Sequence, residues 1–415
     1  MYSFYFLYLY IKNNIISLYK MNKIKFIDLF CGIGGFHQAL NKYNSECVMA
    51  CDIDKKCREI YKLNYGIEPK KNIKDIDEKT IHDFDLLCAG FPCQSFSNSG
   101  KKKGFNDIRG TLFEDILRIA NEKKPKFMFL ENVKHIKKIN NGETFNHIIE
   151  RIKETGYHIN INDTIFQLSP HNLGIPQQRE RLIFVCIRKD IYDSNNKIDY
   201  KIPNYKINLD NIIEKDKTVK EKYKISKNIE DILNIWNEMI KKFNINEKLS
   251  PAILCNEFHK QYTNDDLNNL PKWKRDYIIK NKPLYNKYKK EWDEWYSKYK
   301  DILNVKKINC KLEWQVGNKK ENDSIWNYFI QMRQSGIRVK KTNYFPTLVA
   351  IVQIPIYGKE KRYITPRECA RLQSFPDSFK IHKNDKTAYK QFGNAVNVDV
   401  ISYIIDLTLK TYKII

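Results

Sequence analysis

Short apolar runs that alternate with amphipathic stretches between residues 23 and 190 constrain the fold of this chain more than any other feature. Five runs are rich in β-branched and aromatic residues and predict buried strands: IKFIDLF, CVMACDI, FDLLCAG, KFMFLEN and RLIFVCIR. Between the third and fourth runs, apolar residues from Leu112 to Ala120 form one helical face, and Pro125 ends that helix. This alternation predicts an α/β fold with a parallel, doubly wound sheet and helices on both faces.

The alternation stops after residue 190, which predicts a second unit. Residues 191–361 are mostly rich in Lys, Asn, Tyr and Trp with irregular periodicity, and we interpret them as an inserted smaller domain. Regular patterning returns in 362–415, which we expect to complete the domain begun at 21–190 and to end in a closing helix. Residues 1–20 read as a disordered extension or as sequence upstream of a start at Met21. Their apolar run lacks the length of a membrane span and the basic start of a signal peptide.

Composition narrows the class of protein. A formal net charge of +24 over 415 residues favours a polyanionic partner, although heavy use of Lys, Asn and Ile throughout is equally typical of a biased genome composition. The ten cysteines contain no C-x-x-C pair, so neither a zinc site nor a disulfide framework is expected. We therefore predict a metal-free protein of a reducing, cytoplasmic compartment.

A glycine-rich turn follows the first predicted strand, in the segment DLFCGIGGFHQAL. Gly32, Gly34 and Gly35 allow a ligand to approach the backbone at the carboxyl edge of the sheet. His37 stands where the dinucleotide fingerprint has its third glycine, which disfavours a nicotinamide or flavin cofactor. Asp52 ends the second strand, where a carboxylate can bind ribose hydroxyls. These residues suggest a nucleoside ligand such as S-adenosylmethionine, with a purely structural tight turn as the alternative.

Three further groups follow predicted strands or lie next to them. Pro92 and Cys93 come after the third strand, Glu131 comes at the end of the fourth, and Arg179 and Arg181 open the fifth. Each has a simpler interpretation when taken alone: Cys93 as an incidental loop cysteine, Glu131 as a helix cap or ion-pair partner, and the two arginines as a surface charge cluster. A sheet of this kind can bring the thiol, the carboxylate and the guanidinium into one cleft.

Seven motifs in this order resemble the cytosine-5 DNA methyltransferases of restriction-modification systems. They are FIDLFCGIGGF, GFPCQSFSNSGKKKGF, RGTLF, ENV, GIPQQRERL, RECARLQSFPD and FGNAV, and they span nearly all of the chain outside 191–361. The resemblance implies a Rossmann-like S-adenosylmethionine-dependent methyltransferase sheet with an inserted target-recognition domain. It implies transfer of a methyl group to carbon 5 of a specific cytosine in double-stranded DNA, with S-adenosylhomocysteine as the second product.

The resemblance also implies roles for individual residues. Cys93, behind Pro92, would attack carbon 6 of cytosine, Glu131 would bind the ring nitrogen and exocyclic amine, Arg181 the ring oxygen, and Arg179 would help to order the site. The residues implied in cofactor binding are Phe30, Gly32, Ile33, Gly34, Asp52, Ile53, Asn72, Leu112, Asn394 and Val396. Two depart from the family pattern: Asp52 replaces a glutamate, and Asn72 stands at the position of an acid, with Asp75 as a substitute in a shifted register.

Methylation inside a duplex requires the cytosine to be flipped out of the stack. A basic loop after Cys93, with Ser95, Ser97 and Lys101, is expected to close over the extruded base. In the second domain, Arg333, Arg338 and Lys340 are the candidates for DNA contact, with exposed surface charge as the alternative for each. The aromatic stripe Trp292, Trp295, Tyr296 and Tyr299 fits a hydrophobic core better than a base-stacking platform.

Two other functions remain open from the sequence. One is methylation of transfer RNA, as in a related eukaryotic branch, but the long inserted domain argues against it. The other is an inactive DNA-binding regulator, but the intact Cys93, Glu131 and Arg181 argue against that. The expected state is a monomer in the cytoplasm of a bacterium or in a viral-type intracellular setting. A restriction endonuclease that shares the target without forming a stable complex is compatible with the family, and no membrane partner is expected.

Overall fold

The protein is described by a computed structural model over residues 23–92, 112–249, 252–348 and 353–415. The predicted extension 1–20 and the predicted site residues Cys93, Ser95, Ser97 and Lys101 lie outside these ranges. Within them, no helix combines the length and the apolar character needed to cross a bilayer.

Seven strands of the described chain form the first sheet: β1 (Ile24–Leu29), β2 (Ser45–Cys51), β3 (Leu86–Gly90), β4 (Phe127–Val133), β5 (Tyr157–His158), β6 (Ile165–Leu168) and β7 (Arg181–Arg188). Their order is β2–β1–β3–β4–β7–β5, and β6 also pairs with β7. All five predicted strands are present. The first four are parallel to one another, as predicted, but β7 runs antiparallel to β4. Alternation in sequence reports burial and not strand direction, so this reversal was not predictable from the pattern.

The direction of β7 has a consequence for the cleft. Because β7 is antiparallel, its first residue, Arg181, pairs with Val133 at the edge where β4 ends. The carboxyl ends of β1, β3 and β4 meet at this same edge. The sheet therefore brings Glu131 and Arg181 to the edge where β3 ends, by combining strand ends with one strand start.

Twelve α-helices lie in the described ranges: α1 (Gly35–Leu40), α2 (Lys55–Tyr65), α3 (Leu112–Lys123), α4 (Glu143–Glu154), α5 (Lys217–Lys222), α6 (Lys227–Lys242), α7 (Asn264–Asn268), α8 (Lys272–Lys287), α9 (Lys289–Asn304), α10 (Pro366–Leu372), α11 (Asp385–Asn394) and α12 (Val398–Thr411). Short 3-10 helices lie at Ile73–Asp75, Glu78–Thr80, Lys134–Gly142, Pro170–Leu173, Lys307–Cys310, Ile325–Asn327 and Gly358–Glu360.

Helices cover both faces of the first sheet. Phe26, Cys88 and Phe129 point to the face packed by α1, α11 and α12. Their strand neighbours, such as Leu87 and Met128, point to the opposite face, which α3 and α4 cover. Two-sided burial explains the near-continuous apolar runs of these strands, and the α/β methyltransferase architecture predicted from the sequence is confirmed.

The second sheet consists, in the described chain, of β8 (Ile253–Leu254), β9 (Lys311–Gln315), β10 (Phe329–Arg333), β11 (Gly336–Lys340), β12 (Ile356–Tyr357) and β13 (Arg362–Tyr363). Their order is β13–β12–β10–β11–β9–β8. This sheet packs with α6, α8 and α9 around a separate core that runs from Ile225 to Ile356. Ile198 and Ile212, which lie within the predicted second domain, pack instead against the core of the first sheet.

The tryptophans of α9 belong to this second core, as the sequence predicted. Trp292 and Trp295 are 1% and 2% exposed, and their rings lie 5.2 Å apart. The indole nitrogen of Trp295 donates a hydrogen bond to the Ile235 carbonyl of α6 at 2.8 Å. These rings hold α9 against α6 and are not available for stacking on a base.

The predicted closing helix at the end of the return segment is divided into two helices, α11 and α12. Asn397 accepts a hydrogen bond from the Val400 amide at 3.0 Å and begins α12, so the chain breaks between α11 and α12. The broken segment carries Ala395 and Val396, which belong to the FGNAV motif. The interruption therefore frees this segment to reach the edge of the sheet.

A buried ion pair joins the second sheet to α10. The fully buried Arg362 of β13 donates two hydrogen bonds to the fully buried carboxylate of Glu368, at 3.0 and 2.6 Å. Glu368 also accepts from the Thr365 amide at 2.8 Å and completes a capping box at the start of α10. Removal of Glu368 would leave the buried guanidinium of Arg362 with Glu360 as its remaining carboxylate partner, and it would leave the Thr365 amide without its acceptor at the start of α10.

We therefore expect Glu368→Ala to lower the free energy of unfolding by about 3–5 kcal/mol, measured by urea denaturation. As a control, Asp377→Asn breaks the ion pair of Asp377 with Arg371, in which the side chain of Asp377 is 61% exposed. That change should cost less than about 1 kcal/mol. Equal costs for the two variants would contradict the structural role assigned to Glu368.

Candidate active site

The ends of β3 and β4 lie side by side at the carboxyl edge of the sheet. Gly90 pairs with Glu131 in the strand register, and the side-chain amide of Asn132 donates to the Phe91 carbonyl at 3.0 Å. A Cβ at Gly90 would lie 3.0 Å from Val396 Cγ2 and 3.7 Å from Glu131 Oε2. A side chain at position 90 would therefore crowd Val396 at the end of β3. Asn132 belongs to the ENV motif, but the sequence predicted no role for it.

Glu131 and Arg181 form an ion pair at this edge. Arg181 Nε lies 2.7 Å from Glu131 Oε1, and the two side chains are only 14% and 11% exposed. Arg181 also donates to the Glu180 carbonyl at 3.0 Å. The structure therefore places a carboxylate and a guanidinium next to the chain segment that leads to Cys93, as the sequence predicted.

The terminal nitrogens of Arg179 bind the backbone around it. Its terminal nitrogens donate to the carbonyls of Leu348 at 2.7 Å, Gly393 at 2.9 Å and Ala395 at 3.1 Å. Burial, together with the nearby Arg181, lowers the pKa of Arg179 well below its usual range despite the attraction of Glu131. Arg179 therefore ties the inserted segment and the FGNAV motif to the strand that carries Arg181, which agrees with an ordering role.

The glycine loop after β1 is a tight left-handed turn. Phe30, Gly32 and Gly34 have φ values of 53°, 54° and 89°. A Cβ at Gly34 would lie 2.2 Å from a ring carbon of Tyr65, so a side chain cannot fit there. At Gly32, by contrast, an added Cβ would meet no described atom within 4 Å. The loop thus has a packed side and an open side. Ile33 is buried in the core beneath it, and Phe30 is half-buried.

Asp52 braces this loop from the end of β2. Its Oδ2 accepts a hydrogen bond from the Gly32 amide and its Oδ1 from the Asp54 amide, each at 2.8 Å. Burial raises the pKa of Asp52 above its ordinary value, and the two amides oppose that rise. Ile53 follows with 80% of its surface exposed, which leaves an apolar side chain beside the loop.

Arg58 was not predicted and holds the same turn. Its guanidinium, on α2, donates to the carbonyls of Asp52 and Ile53, both at 2.8 Å. Arg58 is only 8% exposed. The sequence carried a weak signal for it, since Arg58 lies on the apolar face of α2 together with Ile60 and Tyr61.

His37 replaces the third fingerprint glycine for a packing reason. Its ring stacks on Tyr65 with centroids 3.9 Å apart, and its Nδ1 lies 2.7 Å from the Tyr61 hydroxyl. Burial lowers the pKa of His37 to about 4, so the imidazole is neutral. The first helix is therefore anchored by an aromatic cluster at the position where a dinucleotide fold has close helix–strand contact.

The remaining predicted cofactor residues lie on three other elements. Asn72 caps the 3-10 helix Ile73–Asp75, and its amide nitrogen lies 3.4 Å from Asp75 Oδ1, so the two alternative positions for the missing acid are in contact. Leu112 begins α3 and is half-buried. Asn394 ends α11 and is exposed. Val396 reaches the edge of the sheet, because a Cβ at either Gly35 or Gly90 would come within about 3.1 Å of it.

Comparison with known proteins agrees with this arrangement. The model of the C-5 cytosine-specific DNA methylase family matches residues 24–410. The chain is 32% identical over 386 residues to the type II methyltransferase M.HhaI of Haemophilus parahaemolyticus, covering 93% of this chain and 94% of that protein. It is 34% identical over 404 residues to the type II methyltransferase M1.ScrFI of Lactococcus lactis subsp. cremoris, covering 95% and 80%.

Solved structures share the fold at lower identity. The S. pombe Dnmt2 methyltransferase superposes with a TM-score of 0.52 at 19% identity, covering 94% of this chain and 99% of its own. The Entamoeba histolytica methyltransferase EhMeth gives 0.53 at 19% identity, covering 94% and 98%. With the family model spanning both ends of the first domain and the whole insertion, the chain belongs to the C-5 cytosine-specific DNA methylase family and is a DNA cytosine-5 methyltransferase.

Proposed function

We propose that Cys93 is the nucleophile and that Glu131 and Arg181 bind the flipped cytosine. The observation that carries this proposal is the buried Glu131–Arg181 pair at the strand edge from which Phe91 and Pro92 lead to Cys93. The pair offers a carboxylate for donors of the base and a guanidinium for its ring oxygen. Each group also orients the other.

The proposed chemistry follows from the low nucleophilicity of carbon 5 of cytosine. The Cys93 thiolate bonds to carbon 6, and the electron pair of the carbon 5–carbon 6 double bond makes carbon 5 nucleophilic. Glu131 favours protonation at ring nitrogen 3 as negative charge enters the ring, and Arg181 stabilises charge on the ring oxygen. After carbon 5 has been methylated, a base takes its proton, the double bond re-forms, and Cys93 leaves as the thiolate.

Membership in a methyltransferase family implies S-adenosylmethionine, which supplies the methyl group when bound. We propose that the open side of the glycine loop at Gly32, the carboxylate of Asp52 and the exposed Ile53 hold its nucleoside part. Asn72 and Asp75 together offer an acceptor to the adenine amine. The other proposed contacts are Phe30, Ile33, Gly34, Leu112, Asn394 and Val396. No metal is needed for these roles.

Asp52→Asn is expected to weaken S-adenosylmethionine binding about 10- to 100-fold in isothermal titration. The amide would turn its nitrogen toward Gly32 N or Asp54 N, both of which are donors, and would disturb the loop. The control is Asp54→Asn, because asparagine caps a helix as well as aspartate does and Asp54 caps α2. Unchanged affinity in Asp52→Asn would contradict the role given to this carboxylate.

DNA is the substrate of the family, and we propose double-stranded DNA with base flipping for this chain. Ser95, Ser97 and Lys101 follow the nucleophile and are proposed to contact the backbone around the extruded base. Arg333, Arg338 and Lys340 are proposed to contact the duplex from the second domain. We further propose an intracellular monomer whose target is shared with a restriction endonuclease.

Methyl transfer from S-adenosylmethionine with a labelled methyl group to duplex DNA and to transfer RNA tests this function. We expect label in DNA, recovered as 5-methylcytosine after nucleoside hydrolysis. Label in transfer RNA alone would support the RNA methyltransferase alternative. Label in neither substrate, from a folded protein that binds S-adenosylmethionine, would support the inactive regulator.

A further inference from the structure

One face of the second sheet is polar and mostly cationic over β9, β11 and the end of β10, whereas Phe329 and Tyr357 on the same face pack against the core of the first sheet. Residues of alternate strand positions share this face, because β9 and β11 align Glu313 with Arg338, and β10 and β11 align Gln331 with Arg338. We call it the cationic face and define it by Lys311, Glu313, Gln331, Arg333, Arg338 and Lys340. The intervening residues, which include Leu312, Trp314, Ile330, Ile337 and Val339, are buried in the second core.

Glu313 is the centre of this face. Its Oε2 lies 2.9 Å from Arg338 Nε and 2.5 Å from Arg333 Nη2, and its Oε1 lies 3.1 Å from Lys311 Nζ. The carboxylate is 10% exposed, so it is largely shielded from solvent. One buried carboxylate therefore orients three cations that belong to three neighbouring strands.

The charges on the face do not balance. Lys311, Arg333, Arg338 and Lys340 provide four positive charges against the single carboxylate of Glu313. Burial and the neighbouring Arg338 lower the pKa of Arg333, and burial with Arg338 and Arg333 lowers the pKa of Lys340. Burial raises the pKa of Glu313, but Arg338, Lys311 and Arg333 outweigh it and hold that pKa low. A bound polyanion would relieve this repulsion.

Arg338 is held through its Nε atom, which leaves its two terminal nitrogens available to a ligand. The only hydrogen bond of its side chain within the described ranges runs from Nε to Glu313, and that side chain is 27% exposed. Both terminal nitrogens are therefore without an acceptor among the described residues. A guanidinium fixed through Nε presents two parallel N–H groups, which match O6 and N7 of guanine in the major groove.

The cationic face is connected to the catalytic edge. The chain that leaves β11 pairs with the segment before Arg181, where the Phe345 amide donates to the Pro176 carbonyl at 2.5 Å. Arg179 then donates to Leu348 in the same stretch. A duplex bound at the face is thus held by a domain that is hydrogen-bonded directly to the strand carrying Arg181.

We infer that Glu313 is a positioning residue that fixes Arg338 for reading a guanine in the target site. This inference rests on the proposed function, since it assigns sequence selection to a face of the same DNA methyltransferase. It makes two commitments. The target contains a guanine other than the partner of the methylated cytosine, and Arg338 reads that guanine through its N7 and O6 atoms.

The test compares methylation of duplexes in which each target guanine is replaced singly by 7-deazaguanine, which lacks the N7 acceptor. In the wild type, one replacement should lower kcat/KM about 10- to 100-fold. Arg338→Lys keeps the positive charge but loses the paired N–H groups of the guanidinium. Its kcat/KM on the unmodified duplex should therefore fall by a similar factor, and 7-deazaguanine at that one position should lower it no further. Glu313→Gln should behave in the same way while its affinity for non-target DNA is retained or increased, because one negative charge is removed.

Matched controls come from an ion pair at the opposite edge of the first sheet. Arg188 Nε lies 2.6 Å from Asp190 Oδ1 at the far end of β7 from Arg181. Arg188→Lys and Asp190→Asn should keep both the wild-type rate and the wild-type response to 7-deazaguanine. A purely structural Glu313 would lower stability or overall rate in its variant without removing the response at one guanine position.

Several results would overturn the inference. The inference fails if the mapped target has no guanine besides the partner of the methylated cytosine. It fails if no single 7-deazaguanine lowers the kcat/KM of the wild type. It also fails if Arg338→Lys responds to 7-deazaguanine as the wild type does. Should Glu313→Gln fail to fold, the wild type and Arg338→Lys still decide the outcome. A wild-type protein that methylates no DNA at all would refute the proposed function itself, which separates the two failures.

Discussion

Replacement of Cys93 by alanine is expected to lower methyl transfer to DNA by at least about 10⁴-fold, because it removes the thiol that we propose as the nucleophile. The variant should also form no covalent adduct with DNA that contains 5-fluorocytosine at the target. Fluorine cannot leave as a proton does, so an active thiol would remain bonded to carbon 6. Denaturing gel electrophoresis detects this adduct, and single-turnover kinetics give the rate.

The other thiols make Cys93 the candidate by chemistry as well as by motif. Burial is the largest cause that raises the pKa of eight of the nine cysteines in the described ranges. The ninth, Cys310, has its pKa lowered by a hydrogen bond with the Cys255 thiol, but it is only 6% exposed and lies in the second core, away from the edge that carries Glu131 and Arg181. Cys57→Ser is the matched control, since Cys57 is half-buried on α2 and should leave both rate and adduct intact. An adduct that persists in Cys93→Ala would show that another group is the nucleophile.

Glu131→Gln is expected to lower kcat by about 10²- to 10⁴-fold, because an amide cannot supply the negative charge that favours protonation of the ring. The affinity for S-adenosylmethionine should be retained, since Glu131 belongs to the base pocket in this account. Single-turnover methyl transfer and titration of the cofactor measure the two quantities separately.

The neighbouring carboxylate provides the control for that variant. Glu180 lies 3.1 Å from Lys134 Nζ on the surface side of β7, and 39% of its side chain is exposed. Glu180→Gln should therefore change kcat by less than about twofold, as expected for an exposed pair. Similar losses in Glu131→Gln and Glu180→Gln would argue that only local charge matters and that Glu131 has no special role.

The first sheet was predictable because its strands are buried on both faces. Continuous apolar runs such as RLIFVCIR leave little alternative to a covered strand, and the helical face from Leu112 to Ala120 is present as α3. The pattern could not give strand direction, so the antiparallel course of β7 emerged only from the structure. The short strands β5 and β6 carry too few residues to produce a periodic signal.

The second domain was less predictable for a related reason. Its strands alternate lysine, arginine and glutamate with apolar residues over five positions or fewer, and the sequence is lysine-rich throughout. The arginines Arg333 and Arg338 were identified from composition near a glycine turn. Glu313 was not, because its two arginine partners lie on other strands and approach it only through the sheet register.

The sequence predicted the main residues of the candidate site but not the residues that hold the surrounding backbone in place. The seven motifs identified Glu131 and Arg181, and the structure places them in contact. Arg58 and Asn132 act on backbone carbonyls, a role that leaves almost no mark on a single sequence. For Cys93 the prediction still rests on the motif and on the position of Pro92.

Bisulfite sequencing decides whether this chain methylates cytosine in DNA, with DNA from a methylation-free host that expresses either the wild type or Cys93→Ala. We expect the wild type to protect cytosines at one short recurring sequence from conversion, and the variant to protect none. Complete conversion of cytosines in the presence of folded, cofactor-bound wild-type protein would contradict this expectation.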